Sequence, residues 1–261
     1  MKHIKTVRAG KLVKQIIYTV ADAQQCPRER AERRKATTAA QARLNLHNST
    51  ERLEMLLAAN FSPSDFFLTL TLNDEHLPKS EKESDNRKKL RQIVRAYFKR
   101  LRPFYKAAGK ELKYVYSPQG LTSGRYHIHM AINAPYEDVN KSLELLRSLW
   151  NEGFSEVKYF SSYYEKEGRY IDFGRVAGYM TREAKEEGSP CGVQVWTRSR
   201  NLKNPIIEKV ERVTESATIN TPAGAYQLIK EEQCSPYGSY TYLKYVYPID
   251  TETLPKKPIT Y

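Results

Sequence analysis

Residues 125–133, Arg125-Tyr126-His127-Ile128-His129-Met130-Ala131-Ile132-Asn133, place two imidazoles two positions apart in a run of aliphatic and aromatic residues. Such alternation reads as a β-strand, on which residues i and i+2 share a face. His127 and His129 then stand about 7 Å apart at their bases, two strand rises, and can lean onto one cation. Tyr126, Ile128, Met130 and Ile132 take the opposite face and would anchor the strand in a core. A pair of half-buried sheet histidines without any ligand has the same signature, so the motif gains meaning only from its surroundings.

Two further stretches frame it. Upstream, Phe66-Phe67-Leu68-Thr69-Leu70-Thr71-Leu72 alternates leucine with threonine and runs into Asn73-Asp74-Glu75-His76-Leu77-Pro78. Downstream, residues 175–185 form a helical stretch that carries Tyr179. In this order the three resemble the motifs of the HUH endonucleases, the rolling-circle replication initiators. Those motifs are a hydrophobic-Thr strand, a His-hydrophobe-His strand and a helix with a nucleophilic tyrosine. The run from Phe66 to Pro78 looks particularly like initiators of small phages, Gram-positive plasmids and integrated elements. The resemblance covers residues 61–205.

The resemblance implies metal-dependent, site-specific cleavage of single-stranded or extruded origin DNA. Tyr179 would be the nucleophile, leaving a 5′-phosphotyrosine link and a free 3′-OH for a host polymerase. His127 and His129 would hold Mg2+ or Mn2+. Where relatives often supply a third, acidic ligand, this chain has Gln119, a neutral and weaker donor, so the third ligand stays open. Tyr163, Tyr164 and Tyr170 are rival nucleophiles, and either Arg182 or Lys185 could take the place of a supporting lysine. Thr69 and Thr71 are expected to shape the site and hold DNA, together with Arg125, Arg175, Arg198, Arg200 and Lys203. A conjugative relaxase or a single-tyrosine transposase of the same superfamily is the alternative. Outside it stand a non-catalytic RRM-like nucleic-acid-binding module and a zinc hydrolase, the latter without an HExxH motif.

The elements that must position these residues follow from periodicity. A basic amphipathic helix is predicted over residues 85–104, with Leu90, Ile93, Val94, Tyr97, Phe98 and Leu101 as its apolar stripe. Strands follow at 111–117 and 154–159, with a helix at 137–150 between the histidine strand and the latter. The tyrosine helix is expected at 172–188, with Val176, Tyr179 and Met180 facing inward. This order predicts an α+β fold: a ferredoxin-like, RRM-like antiparallel sheet with helices on one face. The domain reading is a basic, mainly helical extension at 1–60, a nuclease domain at 61–205 and a β-rich appendage at 206–261. Within the first, a strand is expected near residues 16–20 and helix from residue 27, opening on the basic cluster Arg28, Arg30, Arg33, Arg34 and Lys35.

Composition agrees with a polyanionic partner. The 261 residues carry 43 Lys+Arg against 30 Asp+Glu, a net charge of +13, which favours nucleic acid. Nineteen tyrosines offer stacking surfaces for unpaired bases. Three cysteines without a CxxC pair suggest neither a zinc ribbon nor a disulfide scaffold. No signal peptide or membrane span is expected, which points to the cytoplasm of a bacterial host. No GxxxxGK[ST] run occurs in the sequence, so unwinding is assigned to a host helicase.

Overall fold

A computed structural model of the chain describes residues 2–19, 39–120, 124–186, 194–235 and 238–250. In chain order the elements are β1 (Lys2–Ala9), β2 (Leu12–Thr19), α1 (Ala39–Asn60), β3 (Phe66–Thr71), α2 (Glu83–Ala107), β4 (Tyr114–Gln119) and β5 (His127–Ile132). Then come α3 (Val139–Ser148), β6 (Ser155–Tyr159), a 3-10 turn (Phe160–Tyr163), β7 (Tyr164–Glu165), β8 (Tyr170–Ile171), α4 (Phe173–Met180) and α5 (Arg182–Glu186). The last strands are β9 (Thr197–Arg198), β10 (Ile206–Val213), β11 (Tyr226–Ser235) and β12 (Gly238–Val246).

The central sheet has the order β6-β3-β5-β4-β9, with antiparallel pairing throughout. From β3 to β6 the chain runs β-α-β-β-α-β with the first and third strands innermost, the ferredoxin-like arrangement expected from the sequence. Period-two alternation sorts its faces. Phe66, Leu68, Leu70, Ile128, Met130, Ile132 and Tyr116 all point to one side, where α2 and α3 cover them. On α2, Leu90, Val94, Tyr97, Phe98, Leu101 and Tyr105 supply the matching three- and four-residue stripe. Tyr97 donates to the Leu146 carbonyl at 2.8 Å, and Arg100 grips Glu152 with both carboxylate oxygens at 2.6 and 2.7 Å. These bonds hold the two helices together.

The other face is only half covered. Phe67, Val115 and Ala131 are buried there beneath Leu53, Leu56 and Leu57 of α1 and Val176, Ala177 and Met180 of α4. Helices therefore lie on both faces, and the expected one-sided layer is the α2–α3 half. Beyond Phe67 and Ala131 the same face continues with Thr69, His129, His127 and Gln119, and it opens into a cleft.

The two ends of the chain build one sheet, in the order β10-β1-β2-β12-β11. Residues 2–19 thus form a hairpin where the sequence suggested a mainly helical extension with a single strand, because its partners lie some 200 positions away and leave no local trace. α1 bridges the two sheets. One side of it packs on the central sheet, and the other meets Ala9, Leu12 and Val246 through Met55 and Ala58. Lys244 binds both oxygens of Glu54, at 3.0 and 3.1 Å, while Lys14 and Tyr242 bind Glu51. The basic cluster at residues 28–35 lies outside the described residues. Among those described, no helix is long and apolar enough to cross a membrane.

Candidate functional site

Cross-strand register builds the floor of the cleft. His127 lies between Gln119 on β4 and Thr71 on β3, and His129 lies between Ser117 and Thr69. The two imidazole centroids are 5.0 Å apart with their planes at 80°. His127 Nδ1 lies 3.0 Å from the Arg125 carbonyl, which can only accept. The proton therefore sits on Nδ1, and the lone pair on Nε2 is left for an electrophile. His129 is held by stacking on Phe67 at 5.4 Å and by a 3.3 Å contact from Nδ1 to the Thr69 hydroxyl. Burial, then His127 and Lys158, push its pKa down to about 4, so the ring is neutral at physiological pH. Neutral imidazoles are the form that binds metal.

The wall is α4. Its N-cap, Asp172, accepts from the Arg175 amide at 2.9 Å and starts the helix at Phe173. Val176, Ala177 and Met180 bury one stripe against α1 and the sheet. Tyr179 does not join them: it is 36% exposed and lines the cleft. The expected inward-facing tyrosine thus becomes a surface one, because small Ala177 and Gly178 leave Val176 and Met180 to do the packing. Arg175, one turn earlier, hydrogen-bonds the Tyr179 hydroxyl, and that bond raises the guanidinium pKa. Arg175 also lies over the Tyr163 ring at 6.0 Å, and Tyr163 meets Tyr179 at 6.3 Å in a tilted edge contact.

Two hydrogen bonds join wall to floor. Gln119 Nε2 donates to the Tyr179 carbonyl at 2.6 Å, and the Gly120 amide donates to Glu183 Oε2, also at 2.6 Å. The tyrosine helix is not continuous to residue 188 as expected. It breaks at Thr181, whose hydroxyl turns back to the Ala177 carbonyl at 2.9 Å and touches Thr50 on α1 at 3.0 Å. The cleft so enclosed measures about 660 Å3.

His127, His129, Gln119, Tyr179, Thr69, Arg175 and Arg182 all line this one cleft. Thr71 stands apart, because its hydroxyl is occupied by the backbone of Phe154, with contacts of 3.1 and 3.2 Å. Arg125 contributes its carbonyl to His127. Arg198 pairs with Val115 at the far end of β4 and binds Asn204 at 2.9 Å, while Arg200 and Lys203 are exposed nearby. That end lies four residues, roughly 13 Å, from Gln119. Lys185 falls within α5, and its side chain lies outside the described residues. Of the rival tyrosines, Tyr163 lines the cleft but is 8% exposed, with its hydroxyl pushed up to about 12 by burial and by Tyr179. Tyr170 lines a different cavity, between α1 and the second sheet.

Glu156, Lys158 and Glu183 also line the cleft, and sequence reasoning assigned none of them to it. Glu156 lies opposite Thr69 across β6 and β3, a register visible only once the edge strand is paired. Among the described residues no three His, Cys, Asp or Glu side chains gather closely enough to hold a metal. Any third donor beside the histidines is therefore an amide or a group brought by the ligand.

Residues 65–184 match the family model for the replication-associated protein ORF2. The matched stretch contains both histidines, Gln119, Tyr179 and Glu183, and the match supports a role in the initiation of replication. Neither the curated proteins nor the solved structures include a significant match to the chain.

Proposed function

We propose that the cleft nicks and rejoins single-stranded DNA at a replication origin, as an HUH-type initiator with Tyr179 as nucleophile. The observation that carries this reading is one open cleft presenting an exposed tyrosine and two neutral, cross-braced imidazoles. The donor set fits one divalent ion, Mg2+ or Mn2+: His127 through Nε2, His129 beside it, and the Gln119 amide oxygen as a neutral third donor. Bound there, the ion would polarise the scissile phosphate and offset charge in the transition state.

The chain's own residues supply the rest. The Tyr179 oxygen bonds to phosphorus, the bond from phosphorus to the 3′-oxygen breaks, and that oxygen leaves as a 3′-hydroxyl after taking up a proton. Arg175, already bonded to the phenol oxygen, compensates its charge as the proton departs to solvent. Arg182 and Lys158 line the same cleft and favour a phosphodiester there. Because the phosphodiester energy is kept in the phosphotyrosine, the same site can reseal strands. The free 3′-OH would go to a host polymerase, and unwinding to a host helicase.

The test is incubation with an end-labelled, randomised single-stranded DNA pool and Mn2+, followed by denaturing electrophoresis. The expected result is a covalent protein–DNA band whose nucleotide maps to Tyr179. Binding without any adduct would favour a non-catalytic DNA-binding role and refute the proposal.

A further inference from the structure

We infer that Gln119 and Glu183 are positioning residues that seat the Tyr179 helix on the histidine strand, and that position 119 requires an amide. The inference rests on the strand-cleavage reading above. α4 has eight residues, two of them glycine, so neither its length nor its propensity fixes its place. It ends at Thr181, which leaves the Tyr179 carbonyl near a helix terminus in need of a donor. Gln119, 6% exposed at the end of β4, provides it at 2.6 Å.

A carbonyl can only accept, so the Gln119 side chain must turn its NH2 to Tyr179 and keep its oxygen as the remaining acceptor. One amide thereby serves both sides of the cleft, donating to the nucleophile's backbone and offering an oxygen toward a cation. A carboxylate would be the stronger ligand for a divalent ion, but it has no proton to donate and would set an anionic oxygen against the Tyr179 carbonyl. Gly120 adds the second contact. Its φ of +76° and the 1.9 Å from an ideal Cβ to the Arg125 oxygen admit only glycine. The turn this allows aims the Gly120 amide at Glu183 and the Arg125 carbonyl at His127. Nucleophile helix and histidine tautomer are thus set by the same few residues of backbone.

The test compares wild type, Gln119→Glu, Glu183→Ala, Glu183→Gln and His127→Ala, with Mn2+ and a single-stranded DNA that wild type cleaves. Gln119→Glu is expected to bind Mn2+ at least as tightly by calorimetry and to bind DNA with unchanged Kd. Its kcat should nevertheless fall by roughly 100-fold, the scale of an ångström's misplacement. Glu183→Ala should lower kcat, and Glu183→Gln should restore it, since an amide oxygen still accepts from Gly120. Hydrogen exchange across residues 176–184 should quicken in Gln119→Glu and Glu183→Ala but not in His127→Ala. Wild-type kcat and exchange in Gln119→Glu would overturn the inference. Cleavage that survives His127→Ala, or a wild type that cleaves nothing, would sink the cleavage reading instead, and the exchange result would still decide the positioning role.

Discussion

Replacing Lys244 with methionine tests how α1 is seated between the two sheets. Lys244 and Glu54 are 11% and 8% exposed, and the ammonium is the cation bound to that carboxylate at 3.0 Å. Removing one partner of a buried pair leaves an uncompensated charge, at a cost of about 3–5 kcal/mol. At roughly 2–4 °C per kcal/mol for a chain of this size, Tm should drop by about 6–20 °C near neutral pH. The loss should depend on pH. Burial already holds the Glu54 carboxyl above its ordinary value of 4.5 despite Lys244, and nearby Glu51 adds to the rise. Without Lys244 it rises further. A carboxyl whose folded pKa exceeds its unfolded one contributes stability below the unfolded value, and that contribution is lost as pH climbs through the folded value. The variant should therefore approach wild type near pH 4 and fall progressively behind it toward pH 8. Thermal melts followed by circular dichroism across that range measure the effect, and Glu54→Gln combined with Lys244→Met should recover most of it. Equal losses at both ends of the range would refute charge burial as the cause.

Three other perturbations bear on the site and its frame. His127→Ala and His129→Ala should each abolish nicking while anisotropy shows most DNA affinity retained, because phosphate contacts are spread over other residues. Tyr179→Phe should keep the melting temperature and DNA binding but lose the covalent adduct, whereas Tyr163→Phe should still form it; an adduct on Tyr163 would reverse the assignment. A fragment limited to residues 65–184 lacks Leu53, Leu56 and Leu57 and so uncovers Phe67, Val115 and Ala131. It should show no cooperative melt, and a sharp transition would mean α1 is dispensable to the core.

Much of the central sheet was legible in the sequence because its signals are local. Leu68 and Leu70 alternate with Thr69 and Thr71, Ile128 and Met130 alternate with His127 and His129, and α2 carries a continuous apolar stripe. The cleft residues were legible only as types. That Thr69 faces His129 while Thr71 is taken up by Phe154 depends on how β3 meets β6, which alternation does not encode. The Gln119–Tyr179 bond joins residues 60 positions apart through a backbone carbonyl, and no residue type announces an orphan carbonyl. Tyr179 looked like a packing residue because aromatic residues at helical spacing usually are. Its exposure follows from the small residues around it and from the cover that α1 gives to Met180 instead.

The sheet shared by both ends of the chain has a consequence for the order of assembly. Arg8 and Glu208 are bridged across 200 residues, and Thr19 meets Ser239 across 220. Pairings of such sequence separation form late, since long loops must close before any contact rewards them. During synthesis the β1–β2 hairpin emerges early and waits with both edges unpaired, while α1 lacks the Lys244 that neutralises Glu54. The tyrosine wall that leans on α1 should then gain its final support only when β12 arrives. Ribosome-arrested chains ending before Tyr226 should accordingly stay protease-sensitive across residues 39–60, and protection of that helix at this length would show that it seats without the second sheet. On this view the cleft cannot be completed in a partly made chain, so a truncated product would carry the motifs of a nuclease without its cutting geometry.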